Sequence, residues 1–284
     1  MTIVMAVGYF DDDSMLRRVV RERVVGLSGP RALLVMAAHP VAWQGFFTHT
    51  GARDEPYRRL ERTAVVMNAI GFGTREEADR LTARVRRMHA RVRGVLREDA
   101  GRFAAGTPYR ADDPALLLWI LGALAESAMV VYDQYVRKPS PDEREALWQD
   151  YRVVGRLFGI PDDAMPAGIA EFEDYMARMY GGGELHVGPQ TRELAVQVVM
   201  RPPVPVWARG LLELVNQITV GLLPGGIRRQ YGFSWDPARE VARRAHAEYI
   251  KRAVVPLLPT GLRLVPVARG DGGAGAAPQE RAAA

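Results

Sequence analysis

The sequence predicts an all-α fold: a single globular multi-helix domain spanning residues 14–267, with a pocket between helices. Three observations support this. Apolar residues recur at steps of three and four along most of the chain, and alternation of the β type is nearly absent. Helix-starting residues, proline behind Ser or Asp, stand where the apolar runs begin. Asp13-Ser14 predicts a cap for a helix reaching about Val25, and Ser28-Gly29-Pro30 breaks the chain before a second helix from Arg31 to about Phe47. A third is expected from about Pro56 to Ile70. Gly71-Phe72-Gly73-Thr74 then stops it and caps a fourth, whose first turn carries Glu76 and Glu77.

Asp112-Asp113-Pro114 and Ser140-Pro141-Asp142-Glu143 are strong starts, with proline at the first helical position. The first opens a central helix whose apolar run, Leu116 to Tyr132, is interrupted by Glu126 and Ser127. That run falls short of the roughly 20 residues a membrane span requires, so it reads as a buried core helix. The second continues to about Phe158. Later helices are expected over Ala167–Tyr180, Pro189–Val199, Val206–Leu222 and Pro237–Val254, separated by Gly159-Ile160-Pro161, Gly181-Gly182-Gly183, Arg201-Pro202-Pro203 and Leu223-Pro224-Gly225-Gly226. Residues 269–284, rich in Gly, Ala and Pro, read as a disordered tail, and there is no internal repeat.

Composition narrows the chemistry. The chain has 284 residues, 48% of them hydrophobic, which is ample for a core. It has no cysteine, which excludes disulfides, thiolate-ligated zinc or haem, cysteine-held iron–sulfur clusters and cysteine nucleophiles, and leaves imidazole as the strong metal donor. The net charge is +5, almost all of the positive charge is arginine, and the arginines are interleaved with Asp and Glu instead of forming a basic stripe. Nucleic-acid binding is therefore not expected. Met1–Phe10 lacks a basic n-region and is followed by Asp11-Asp12-Asp13, so the expectation is a cytoplasmic protein.

The candidate site residues come from two neighbouring helical patterns. On the second, Leu81, Val85, Met88, Val92 and Leu96 form an apolar stripe, Arg80, Arg84, Arg87 and Arg91 take the wet face, and Arg86, His89 and Arg93 share one shoulder. An imidazole at the edge of a core, with guanidinium groups about one turn to either side, suits a ligand that is both apolar and anionic. Haem, with its iron and two carboxylates, has that character. On the first pattern, Arg59, Thr63, Val66, Met67 and Ile70 form a stripe with Arg62 at its edge, which suggests either a buried salt-bridge network or the wall of a pocket.

Of the other histidines, His39 follows an apolar run and reads as a core residue, and His49 ends its helix. His186 falls in a loop, and His246 on a charged helix face. No pair has the spacing of a helical zinc site. There is no Gly-x-Ser-x-Gly elbow, phosphate loop or dinucleotide fingerprint, so hydrolase and kinase readings lack their parts.

The order of several short motifs carries a resemblance. These are Ala37-Ala38-His39-Pro40, Arg59-x-x-Arg62-Thr63, Ile70-Gly71-Phe72-Gly73, Val85 to Gly94 around His89, Pro108 to Pro114 with Leu118-Trp119, Gly221-Leu222-Leu223-Pro224 and Tyr231-Gly232. Together they resemble the DUF2236 family, which holds the MpaB-type oxygenases and the catalytic domain of the rubber-cleaving latex clearing protein. The resemblance implies an all-helical fold with non-covalent haem b. By it, His89 is the proximal iron ligand, Arg59, Arg62 and Thr63 line the distal side, and Arg86 lies near the haem edge; Arg86 or Arg93 is then expected to pair with the propionates. Arg62 stands where relatives carry a lysine able to reach the iron, and a guanidinium offers no lone pair, so the distal position is expected open or water-bound. The family's distal glutamate has no counterpart, since residues 31–53 contain no carboxylate and only His39, Gln44 and His49 could substitute.

The expected function is thus a haem-dependent oxygenase or peroxygenase acting with molecular oxygen or peroxide on a small apolar organic substrate. The alternative is a non-catalytic haem- or ligand-binding protein on the same fold.

Overall fold

The computed structural model describes residues 8–49 and 56–269, with side chains described over 8–45 and 61–268. Thirteen α-helices among these residues form the body. They are α1 (Met15–Val20), α2 (Ser28–Ala37), α3 (Pro40–His49), α4 (Pro56–Phe72), α5 (Arg75–His89), α6 (Pro114–Tyr135) and α7 (Pro141–Phe158), followed by α8 (Ile169–Gly181), α9 (Pro189–Met200), α10 (Arg209–Leu222), α11 (Gly225–Gln230), α12 (Pro237–Tyr249) and α13 (Thr260–Arg263). The all-α expectation holds. One small correction is an antiparallel hairpin between α5 and α6, β1 (Arg93–Val95) with β2 (Pro108–Arg110), in the register Arg93↔Arg110, Gly94↔Tyr109 and Val95↔Pro108. Strands of three residues are too short for alternation to show in sequence.

Helix α6 is the axis of the molecule. It begins where proline follows Asp113, whose carboxylate accepts from the Ala115 amide at 2.8 Å. Its apolar residues face every direction: Trp119, Ala123, Ala125, Val131 and Tyr135 are completely enclosed. At 22 residues it is the one helix among those described with the length and apolarity to cross a membrane, yet most of its apolar window is packed within the protein. α2 lies against it, and α9 and α10 close over α2. Trp119 donates its indole N–H to the Met36 carbonyl at 3.2 Å, and Tyr231 donates to the Leu34 carbonyl at 2.8 Å. α7 follows with the full reciprocal cap, the Ser140 hydroxyl accepting from the Glu143 amide and the Glu143 carboxylate accepting from the Ser140 amide.

Glu126 and Ser127, which interrupt the apolar run of α6, sit in the deepest polar cluster. Arg31 of α2, 2% exposed, donates from Nε to the Leu222 carbonyl at the end of α10 at 2.9 Å and from Nη1 to Ser127 Oγ at 2.6 Å. Its Nη2 meets Glu126 Oε2 at 2.9 Å, and the Tyr180 hydroxyl of α8 donates to the same oxygen. Burial, then the Glu126 charge, holds that phenol above its ordinary range, so it stays a donor.

Other boundaries shift for local reasons. α1 is capped by Ser14 as expected but ends at Val20, and a 3₁₀ turn, Arg23–Leu27, takes up the remaining residues. The helix expected from Arg31 to Phe47 is two helices, because Pro40 has no N–H to continue the ladder and instead opens α3. Gly225-Gly226, read as punctuation, begins the short helix α11. The tail from residue 270 lies outside the described residues.

Replacing Arg31 with leucine leaves the half-buried Glu126 without its cation; breaking a fully buried pair typically costs about 3–5 kcal/mol, and partial solvation of Glu126 brings the loss to about 2–3 kcal/mol. Denaturant unfolding of Arg31→Leu should show that loss, with part recovered in the double variant Arg31→Leu/Glu126→Leu. A single-variant loss below about 1 kcal/mol would contradict a structural role for the cluster.

Candidate functional site

The candidate residues fall on α4, α5 and β1. α5 starts at Thr74, whose hydroxyl accepts from the Glu77 amide at 3.1 Å, and packs on α4 and on α7. Its buried residues are Ala78 and Thr82, and Val85 and His89 are half-buried. These four, at steps of four, three and four, form the face that meets the protein. Of the expected stripe, Leu81 and Val85 are half-buried and packed against the core, whereas Met88 is 50% exposed, so the inward face turns toward Ala78 and Thr82. Small side chains let α5 approach closely. Thr82 is admitted because its hydroxyl donates to the Ala78 carbonyl one turn back at 2.8 Å. His89 therefore lies on the inward stripe itself, in its last turn, and not on a shoulder of it.

Arg86 donates to the Leu157 carbonyl at the C-terminal end of α7, where a cation also complements the helix dipole. Arg93, exposed on β1, donates to the Ala90 carbonyl at 2.7 Å. On the paired strand Arg110 binds Asp112 with two bonds of 2.9 and 3.0 Å. This pair, with a weaker contribution from Arg93, holds that carboxyl below its usual range. Each of Arg86 and Arg93 thus uses part of its donor set on backbone, and a guanidinium has five N–H groups.

On α4 the C-terminal half carries the core contacts, through Val66, Ala69 and Ile70. Residues 61–65, including Arg62 and Thr63, are all exposed. Helices α4 and α5 are joined by the short Gly73-Thr74 turn, so Arg62 and Thr63 in one, and Arg86 and His89 in the other, occupy the ends remote from it. Among the described contacts none links Arg62 to His89, and the side chain of Arg59 lies outside the described residues. Val65 (56%), Met88 and Val95 (54%) add uncovered apolar area on the same three elements.

His39 is a core histidine, 6% exposed, its ring 5.4 Å from that of Phe103 and 6.1 Å from that of Trp119. Its Nδ1 accepts from the Ala42 amide at 3.3 Å, and burial lowers its pKa to about 4. His186 and His246 are half-buried and stand on separate elements, and the side chain of His49 lies outside the described residues. Groups of three or more His, Asp or Glu that could hold a metal do not occur among the described residues. Two open clefts have volumes of about 310 and 290 Å³, one lined by Arg18, Arg21 and Arg263, the other by Asp163, Met165 and Tyr175. Neither touches His89, so the described residues do not outline the expected haem pocket.

Among the described residues, the imidazole of His89 with the guanidinium groups of Arg86 and Arg93 near it has donor chemistry compatible with a non-covalent haem, and no metal centre built of several side chains is present. Fold and site together define an all-helical protein whose candidate centre, among the described residues, is the imidazole of His89 at a helix end. The profile described as the catalytic domain of ER-bound oxygenase mpaB/B' and rubber oxygenase matches residues 16–252, and the chain belongs to that family. It is also similar to an uncharacterized protein of Mycobacterium tuberculosis and to one of Mycobacterium bovis. Each is 23% identical over 187 residues, 65% of this chain and 69% of the relative. No solved structure matches it significantly.

The depressed pKa of His39 has a pH signature. Above pH 6.5 the imidazole is neutral in both folded and unfolded chains. As pH falls from 6.5 to about 4 only the unfolded chain takes the proton, so stability is lost across that window, by about 3 kcal/mol in all. The difference in unfolding free energy between the protein and His39→Gln should therefore narrow or change sign on going from pH 7 to pH 4. A constant difference would contradict the burial argument.

Proposed function

We propose that this oxygenase-family chain binds haem b through His89 and oxidises a small apolar organic molecule with molecular oxygen or peroxide. The observation that carries the reading is the place of His89: the last inward position of α5, with Arg86 in the preceding turn and Arg93 on the strand that follows. His89 holds the iron, and the N–H groups of Arg86 and Arg93 not engaged by the Leu157 and Ala90 carbonyls pair with the propionates. When bound, haem supplies the redox centre at which the oxidant is activated. Arg59, Arg62 and Thr63 on α4 would be the hydrogen-bond donors toward the bound oxidant, Arg62 and Thr63 reaching it from an exposed stretch of the helix. Arg62 contributes charge and N–H groups but no lone pair for the metal. Val65, Met88 and Val95 give an apolar substrate a surface to bury.

The test is spectroscopic. His89→Ala, expressed with haem available, should lose most of its bound haem or hold it in a form restored by added imidazole. An unchanged spectrum and haem content would overturn the assignment.

Turnover tests the donors on α4 separately. Thr63→Val should keep its haem, since the iron ligand is on α5, yet turn over about 10²–10³-fold more slowly, the usual effect of losing one preorganised donor. Full turnover would remove Thr63 from the site.

A further inference from the structure

The larger cavity, about 310 Å³, lies at the other end of the molecule's axis. It opens around Tyr132 near the C-terminal end of α6, whereas β2 leads into the N-terminal end, about 27 Å of helix away. Four arginines line it: Arg18, Arg21, Arg137 and Arg263. Two of them are matched. Arg263 binds Glu22 with two bonds of 2.7 and 2.8 Å, and Arg137 binds Glu143 with two of 2.6 Å while its guanidinium lies 5.5 Å from the centre of the Tyr132 ring. The other two are not. Arg18 has only loose carboxylates, Asp13 at 3.7 Å and Glu143 at 3.9 Å. Arg21 has no carboxylate partner among the described residues, and its Nε is buried without a hydrogen bond.

A buried guanidinium N–H with no protein acceptor is costly, and one beside an open, water-sized space is satisfied by water or by an acceptor that displaces it. The wall carries two more cations than firmly bound carboxylates, which matches a dianion. Glu143 is spoken for, since the Arg137 bonds hold its carboxyl down to about 2. Val136, Val255 and Pro256 complete the lining with apolar surface. The space would hold about ten water molecules, the bulk of a phosphate group with a short organic body.

We propose that this cavity is a binding site for a phosphate monoester, with Arg21 and Arg18 as its principal donors, separate from the centre at His89 and independent of what that centre does. A phosphate monoester carries close to two charges at neutral pH and offers three acceptor oxygens, and arginine binds such groups through two parallel N–H bonds. The phosphate could belong to a soluble metabolite or to a lipid headgroup, and the recognition chemistry is the same.

Calorimetric titration of the whole protein with phenyl phosphate, with phenol as the uncharged control, tests the site, alongside flotation with vesicles containing phosphatidic acid against vesicles of phosphatidylcholine alone. Binding of phenyl phosphate but not phenol is expected, weakened about 10- to 100-fold in Arg21→Leu. The same Arg21 dependence seen only with the phosphatidic acid vesicles supports the site and identifies its phosphate as a lipid's. Among the described residues Arg21 makes no side-chain hydrogen bond to lose, so the variant should melt as the parent does. If it does not, Arg18→Leu, which gives up only loose pairs, replaces it with the same expected direction. Absence of binding in both arms, or binding indifferent to both substitutions, overturns the proposal.

Discussion

A guanidinium enclosed by protein must find acceptors, and for Arg31 that requirement ties four helices together. One side chain on α2 reaches the last carbonyl of α10 and Glu126 and Ser127 on α6, and Glu126 in turn takes the Tyr180 hydroxyl from α8. Most of α6 is apolar, and besides the Trp119 bond to the Met36 carbonyl this cluster is the directional contact deepest in its middle. Hydrophobic burial is non-directional, and a hydrogen-bonded ion pair is not. The cluster therefore serves as the registration mark of the core, and the α6–α7 pair and the hairpin that leads into α6 inherit their positions from it.

Much of this was legible in the sequence because helix starts have chemical signatures. Asp113-Pro114, Ser140-Pro141 with Glu143, and Thr74 with Glu77 all cap where their residue types say they should. The interruption of the apolar run by Glu126 and Ser127 was visible as well, but its partner was not. Arg31 lies 95 residues earlier and resembles any other arginine in a chain full of them. The hairpin escaped because three-residue strands carry no period, and α11 escaped because a Gly-Gly pair reads as a break. The stripe of α5 was misplaced by one rule of thumb, that the largest apolar residues face inward. Ala78 and Thr82 face inward because close approach to a neighbouring helix favours small side chains, and Thr82 satisfies its own hydroxyl within the helix.

For the candidate centre, the sequence placed His89 on a shoulder of the apolar stripe, and the structure puts it, half-buried, on the inward stripe of α5. Arg86 and Arg93 carry structural duties that sequence could not disclose, capping the end of α7 and the turn after α5. Such duties do not compete with a role toward an anionic group, since each bond uses one N–H of five. They also hold the guanidinium in place beforehand, which lowers the entropy cost of binding. The four-arginine cavity at Tyr132 was invisible for the opposite reason. Its residues come from positions 18, 21, 137 and 263, too far apart for any local pattern to unite them.

The central claim is that an oxygenase-family helical chain without cysteine presents one imidazole, His89, to a b-type haem. The most direct measurement is the haem-to-protein ratio, with the ferric and ferrous absorption spectra, of the protein expressed with haem available. The account predicts one non-covalently bound b-type haem per chain, removable by acid–organic extraction, with a histidine-ligated spectrum. A protein that stays colourless after haem is supplied, or that holds haem with a spectrum other than histidine-ligated, would contradict it.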